Sequence, residues 1–550
     1  MEEKVKARRL TFLLLLLVMV VSMGTGCQPA ENQGTSEPGA PAPAATEPEQ
    51  EAPAPETPKE VVEEKPAEPT GPVTLIIATD MDMNTLDIHD ASQLQITENM
   101  GMQVFDTLLQ ITPEGFVPRL AEKWEAVEDG WIFYLRKGVV FHDGTPFNAE
   151  AVKFNADRLV FGNNRQSSKW RAVESTEIID EYTVKFVTKG PPSYQLLGNL
   201  VHGAAGAMQS PKAVEAGEFP VGTGPFIFVE WIQGEKIIME KNPDYWMEGK
   251  PYIDRVEVQV IPDPATRVLK LEAGEVDFIV RVPPADASRI KQKPNLVVYN
   301  PPSPGWRYIG LSTLYEPFQD KRVRQALNYA IDRKAIAEKL LLGIALPLTS
   351  PIGSAMWSHI DLPGYEYNPE KAKELLADAG YADGFDVTMI ASEGMNTASQ
   401  IVAEAVQAYL KQVGINMEVR MLEYGVLLDN MFAEKDVNTV QMHDGQYMGA
   451  DPDALRIMLG CNEFPPNRNH TFYCNQDLEA LFQAGITETD IDKRKVIYED
   501  VQKLIWEEAP WIFIAEFPWL GAWNSKVQGL TTYSANQNYY ELRDVKIVEP

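Results

Sequence analysis

The apolar positions change period several times along the chain, and each change marks an element. Val73-Thr-Leu-Ile-Ile-Ala-Thr79 is a short run of β-formers and predicts a buried strand. Behind Asn148, a helix-capping residue type, Val152, Ala156 and Leu159 share one helical face. Asp320 caps a second such stripe of Val323, Leu327, Ala330 and Ile331. A third helix has Asn368 at its cap, Pro369 in its first turn, Leu375 and Leu376 inside and Gly380 just past its end. Val402, Val406, Tyr409 and Val413 form a fourth stripe, stopped by Gly414. The period then drops to two, with Ile415, Met417, Val419 and Met421 alternating with Asn416, Glu418 and Arg420. Helix followed directly by strand, repeated, means α/β layers, and these stripes are core. Between about Phe116 and Phe219 the elements are shorter, with a tight turn at His142-Asp-Gly-Thr-Pro146, and this segment reads as a satellite domain.

The first residues read as an address. Lys4, Lys6, Arg8 and Arg9 precede an apolar run from Leu10 to Met23, and small residues Gly24, Thr25 and Gly26 lead into Cys27. That pattern predicts a secretory signal over 1–27 with a cut before the cysteine. The competing reading is an uncleaved membrane anchor, for which the run falls short of the roughly 20 residues a spanning helix needs. The ending resembles a bacterial lipobox, with Gly24 where such motifs usually carry Leu. Acylation of Cys27 would hold the mature end at the membrane. Residues 28–72 are rich in Pro, Ala and Glu, and ten Glu against two Lys leave them at −8. A segment this poor in large apolar side chains predicts a disordered, extended tether.

About 480 residues remain, too many for one ordinary core, so two or three domains are expected. The net charge of −30 argues against nucleic acid as a partner, because phosphate binding needs a basic face. Cys461 and Cys474 are an even pair in an exported body and read as a disulfide, the alternative being two buried thiols. The six His are scattered, and no Cys-x-x-Cys, His-Glu-x-x-His, Gly-x-Ser-x-Gly or phosphate-binding glycine loop occurs. No metal, no cofactor and no catalytic residue is therefore expected.

Several blocks, in order, resemble the dipeptide- and oligopeptide-binding proteins of ABC importers, a family that includes nickel, glutathione and oligosaccharide receptors. They are Val117-Pro-Arg-Leu-Ala-Glu-Lys-Trp124, Leu135-Arg-Lys-Gly-Val-Val-Phe-His-Asp-Gly-Thr-Pro-Phe147, Val221-Gly-Thr-Gly-Pro-Phe226, Asn242-Pro-Asp-Tyr-Trp246, Leu271-Glu-Ala-Gly-Glu-Val-Asp277, Asp320-Lys-Arg-Val-Arg-Gln-Ala-Leu327 and Ala372-Lys-Glu-Leu-Leu376. The resemblance implies an α/β, two-lobed periplasmic-binding-protein fold (type II-like, cluster C) with an extra subdomain on lobe I. By analogy lobe I takes 73–303 plus 516–550, with the subdomain at about 116–220, and lobe II takes 304–515. The crossings would lie near Pro301–Gly305 and Phe513–Phe517. The Cys461/Cys474 pair also resembles a disulfide of dipeptide-binding members. The implied function is an extracytoplasmic, membrane-anchored receptor, monomeric in its body, that closes on a solute and delivers it to permease subunits.

The family pocket maps onto Met81, Asp82 and Met83 after the first strand, onto a loop at about Ser392–Asn396 that contains Glu393, and onto His443 to Asp451. Peptide receptors hold the peptide's amino end with an Asp before the Asp-Pro-Asp turn and often its carboxylate with an Arg in the earlier loop. Here Met448, or a gap, stands where that Asp is expected, and the loop reads Ser392-Glu-Gly-Met-Asn396. Asp444 and Glu393 either serve a cationic group or sugar hydroxyls, or face solvent. Trp306, Tyr308 and Tyr447 either line the cleft or fill the core, and the Met patch of Met81, Met83, Met442 and Met448 has the same two readings. A peptide or peptide-like solute is the expected ligand. An oligosaccharide, a nickel chelate or another small solute is the alternative, and a secreted glycosidase the remote one.

Overall fold

A computed structural model describes residues 71–91, 95–112, 115–201, 203–393, 397–432, 441–447, 451–465, 467–516, 520–532 and 540–548. The expected signal, Cys27, the tether up to residue 70, Met448 and the loop residues 394–396 lie outside the described residues.

Strand β1 (Thr74–Thr79) opens the first sheet, and helix α1 (Gln95–Val104) follows. The satellite then contributes β2 (Ala121–Val127), β3 (Gly130–Leu135), α2 (Ala149–Phe161), β4 (Val173–Asp180), β5 (Thr183–Thr188) and α3 (Tyr194–Leu200). The chain returns through β6 (Phe226–Ile232), β7 (Lys236–Lys241), β8 (Arg255–Val260), β9 (Phe278–Val280) and β10 (Leu296–Tyr299). It crosses to β11 (Trp306–Leu311), α4 (Lys321–Tyr329), α5 (Pro369–Asp378), β12 (Asp386–Glu393), α6 (Thr397–Lys411), β13 (Asn416–Glu423) and β14 (Met442–Tyr447). Helices α7 (Gln476–Thr487) and α8 (Ile491–Glu508) lead to β15 (Trp511–Glu516), and β16 (Gly521–Asn524) lies back in the first sheet. The two large sheets have the orders β10-β16-β9-β1-β8-β7-β6 and β13-β12-β14-β11-β15, and the satellite sheet is β2-β3-β5-β4. Residues 74–299 and 521–524 thus build one sheet with its satellite, and 306–516 build the other.

Local chemistry sets the element ends. Asn148, Asp320 and Asn368 each accept a backbone N–H of the helix that follows, from Ala151, Arg322 and Lys371. Helix α4 stops at Tyr329, short of the expected Ala330 and Ile331, because Asp332 already caps the next turn through Ala335 N–H. Both residues are still buried. β11 is buried at all six positions, as a central strand covered on both faces must be.

The satellite is tied to the first sheet's side by directional bonds. Arg119 Nε donates to Asp106 at 2.7 Å and its Nη1 to Glu541 at 2.6 Å, and all three side chains are buried. Thr223 Oγ1 and Trp246 Nε1 donate to the second Asp106 oxygen at 3.1 and 3.0 Å. Arg158 on α2 pairs with Asp87 and donates to His89 Nδ1 at 2.8 Å. His142 N–H reaches Gly222 O at 2.8 Å.

Candidate functional site

The finishing ends of β14 and the start of β11 meet beside the first crossing. Trp306 pairs with Tyr447, Tyr308 with Gly445 and Gly310 with His443. Period two puts all six on one face. The Trp306 and Tyr447 rings stand 5.0 Å apart, and Tyr308 lies 4.4 Å from Trp511. Two glycines make this aromatic layer possible. A Cβ on Gly445 would sit 2.3 Å from Tyr308 Cζ, and one on Gly310 would sit 2.0 Å from His443 Cε1. Trp306 is fully buried and Tyr308 4% exposed, whereas Tyr447 is half-buried. Of the three sequence-level aromatics, two are therefore core in this state and Tyr447 is the one at the surface of the layer. Burial raises the Tyr447 phenol to about 12, so it is a neutral hydrogen-bonding group at any physiological pH.

The other face carries charge. Arg307 Nη2 donates to Ser399 Oγ at 2.8 Å and to Asp444 Oδ2 at 3.2 Å, and Arg307 Nε lies 3.2 Å from Asp444 Oδ1. Ser399 stands in the first turn of α6, so this triad joins β11, β14 and α6. Burial pushes the Asp444 carboxyl up, and the guanidinium of Arg307 opposes that shift. Of the two readings the sequence left for Asp444, exposure to solvent is corrected: the side chain is buried and its carboxylate is paired with Arg307 inside the lobe. Glu393 closes β12, and its side chain lies outside the described residues.

Asp451 is likewise engaged. Both its oxygens accept from Arg494 at 2.7 Å, and it also accepts Asp453 N–H at 2.9 Å. The guanidinium of Arg494 lies between rings, with centroids at 4.8 Å for Tyr498, 4.9 Å for Tyr194 and 5.4 Å for Trp357. Tyr194 belongs to the satellite and Arg494 to α8. Sequence reasoning passed over Arg494, although a signal was present. It shares the buried α8 face with Tyr498, Val501, Gln502 and Ile505, and a cation on a core stripe needs a buried partner.

On the first sheet's side the expected pocket residues do structural work. Asp82 accepts from Trp231 Nε1 at 2.8 Å and from Gly234 N–H at 2.6 Å. Met83 is 7% exposed in the core, and Met81 packs half-buried against it. At the crossing, buried Glu516 accepts Ser303 N–H at 3.2 Å and Ser354 N–H at 2.8 Å. Burial raises its carboxyl, and these bonds work against the rise.

A cavity of about 750 Å³ lies elsewhere, at the opposite end of β12 and β13, lined by Asp386, Gln407, Lys411 and Glu418 among others. Its amides are already bonded, Asn416 to Asp386 at 3.0 Å and Gln407 to Met417 O at 2.7 Å, so it offers little unmet chemistry. No group of three or more His, Cys, Asp or Glu is placed to hold a metal among the described residues. A disulfide joins Cys461 to Cys474.

The arrangement can therefore present the neutral Tyr447 ring to a guest, beside a buried and internally balanced charge pair. A family model described as bacterial extracellular solute-binding proteins, family 5 Middle, matches residues 115–465. The glutathione-binding protein GsiB of Pectobacterium atrosepticum is 31% identical over 442 residues, 78% of this chain and 85% of that one. Among solved structures, HbpA2 from Haemophilus parasuis superposes with a TM-score of 0.77 at 26% identity, covering 86% of this chain and 99% of its own. The ABC transporter-associated periplasmic binding protein DppA from Helicobacter pylori, in complex with the peptide STSA, gives 0.67 at 28% identity, covering 86% and 98%.

Proposed function

The chain belongs to family 5 of the bacterial extracellular solute-binding proteins, and from that premise we propose that it captures a peptide-like solute between its lobes for an ABC importer. Members of this family are binding proteins, and the fold is their two-lobed α/β fold. The observation that carries the peptide-like reading is the site's charge balance beside its ring layer. Asp444 and Asp451 are each neutralised by an Arg within the second lobe, and Tyr447 borders the same floor as a neutral ring. Such a floor suits a guest held by amides and apolar groups more than a bare dipeptide zwitterion, whose two charges need free counter-charges. Independently of charge, the likeness to a glutathione-binding protein and to a receptor holding a tetrapeptide supports a peptide-like solute.

Closure supplies the mechanism. A solute that touches both lobes makes contacts in the closed form that the open form lacks, and only that difference shifts the population. The lobes hinge where Glu516 stitches the crossing, near 301–305 and 513–517. Cys27, once cut free and acylated, anchors the protein outside the cell, and residues 28–72 carry the body off the membrane.

A thermal-shift panel of glutathione, tri- and tetrapeptides, oligosaccharides and a nickel chelate tests the reading. A solute at 100 times its Kd stabilises by about 2.7 kcal/mol. Stabilisation by peptide-like solutes is expected. A shift with oligosaccharide alone moves the assignment to sugar transport, and turnover of any offered solute overturns a pure binding role. Replacing Cys27 by Ser should release the protein from the membrane fraction.

A further inference from the structure

The satellite touches the second lobe through contacts unlike those that bind it to the first. Helix α3, capped by Ser193, packs against α7. Tyr194 on its first turn is enclosed by Phe116 and Trp131 at 5.8 and 5.7 Å, and its open face receives the Arg494 guanidinium at 4.9 Å. One turn on, Gly198 stands so close to Asp451 that an added Cβ would lie 3.9 Å from the Asp451 Cβ. Arg494 is fixed for this contact from its own side by Asp451, by Gly485 O at 2.9 Å and by the Tyr498 ring. Among the described residues, no hydrogen bond or ion pair joins 115–201 to 306–516.

This matters because of what such a seam can do. A buried hydrogen-bonded ion network separates only by leaving charges stranded. A ring lying on a guanidinium that is already paired with its own carboxylate separates without stranding anything, since Arg494 keeps Asp451 whether or not Tyr194 is present. The attraction is then available each time the lobes meet.

We propose that Tyr194 and Arg494 form a latch between the satellite and lobe II, a positioning contact that favours the closed form equally for every solute. The inference rests on the reading of the two halves as closing lobes. Because the latch touches no solute, it sets how tightly all guests are held and leaves their ranking alone.

The Gly198–Asp451 approach supplies the test, since 3.9 Å matches the Cβ separation of a disulfide. In the full-length Gly198→Cys/Asp451→Cys variant, oxidation should trap the seam shut. The solute-free oxidised protein should have a smaller radius of gyration by X-ray scattering than the reduced one, with wild type under the same reductant as control. In the oxidised variant, association of glutathione and of a tetrapeptide should fall below about one tenth of that of the same variant when reduced, so that the loss of Asp451 is common to both arms. An unchanged radius, or uptake unaffected by the cross-link, means that the seam never opens and overturns the latch. Tyr194→Leu should weaken both solutes by one common factor, about 2- to 30-fold, and Tyr194→Phe, which keeps the ring face, should restore them. Unequal factors would make Tyr194 a pocket residue and also overturn the proposal. If neither solute binds wild type, the peptide reading fails, while the scattering comparison still decides the latch.

Discussion

Against the first sheet's side the satellite is held by Arg119 between Asp106 and Glu541, by Arg158 on Asp87 and by a backbone bond from His142. Against the second, among the described residues, it meets a ring under a guanidinium, a glycine beside an aspartate and the packing of α3 on α7. Both seams are buried, yet their chemistry differs in kind. Directional bonds between charges admit one register and leave a large penalty when broken. Apolar contact and cation–π attraction are short-ranged but tolerant of parting and meeting again. The difference teaches which seam belongs to a fixed body and which is suited to move.

The sharpest way to break the comparison is Arg119→Met. It removes the cation that two buried carboxylates share, leaving Asp106 only neutral donors and Glu541 its Arg543 partner, and should destabilise by about 3–5 kcal/mol in urea unfolding. A loss below 1 kcal/mol would mean that the first seam is no firmer than the second. Next, Cys461→Ser with Cys474→Ser opens a loop in the second lobe and should lower that lobe's stability by about 3 kcal/mol. Calorimetry should show the loss in that lobe's transition while the first seam is untouched.

Acid sharpens the contrast further. His89 accepts from Arg158 at Nδ1 and therefore donates from Nε2 to Ala207 O at 3.0 Å, so the folded protein needs it neutral. Burial and the neighbouring Arg158 push it down to about 4. The unfolded chain takes up this proton near pH 6.5, whereas the fold refuses it until about 4. The stabilisation is thus complete above pH 6.5 and drains away as pH falls towards 4. Melting temperature measured from pH 7.5 to 4.5 should fall, and His89→Gln should fall less steeply. His443 and His470, down to about 3 and 4, add the same trend in the second lobe and should remain in that variant. The smallest effect is expected for Tyr194→Leu, under about 2 kcal/mol in unfolding, because its main consequence is on closure. A loss as large as that of Arg119→Met would erase the distinction between the seams.

Much of the secondary structure was legible from local rules. The caps at Asn148, Asp320 and Asn368 and the alternation through 416–421 depend on neighbours within a few residues, and short-range physics decides them. The site was legible only in outline. The region around β14 was marked as a candidate, but the partners of Asp444 and Asp451 were not legible because they are remote in the chain. Arg307 is 137 residues from Asp444, and Arg494 is 43 from Asp451.

By itself the sequence determined the α/β layering, the capped helices, the satellite segment and the family, because each is written in residues close together or in blocks of fixed order. Only the tertiary structure decided which charges are spent inside a lobe and which side chains face one another across a seam. Those facts arise from pairings between distant segments, and no local pattern of apolar and polar residues encodes which distant carboxylate a given arginine will meet.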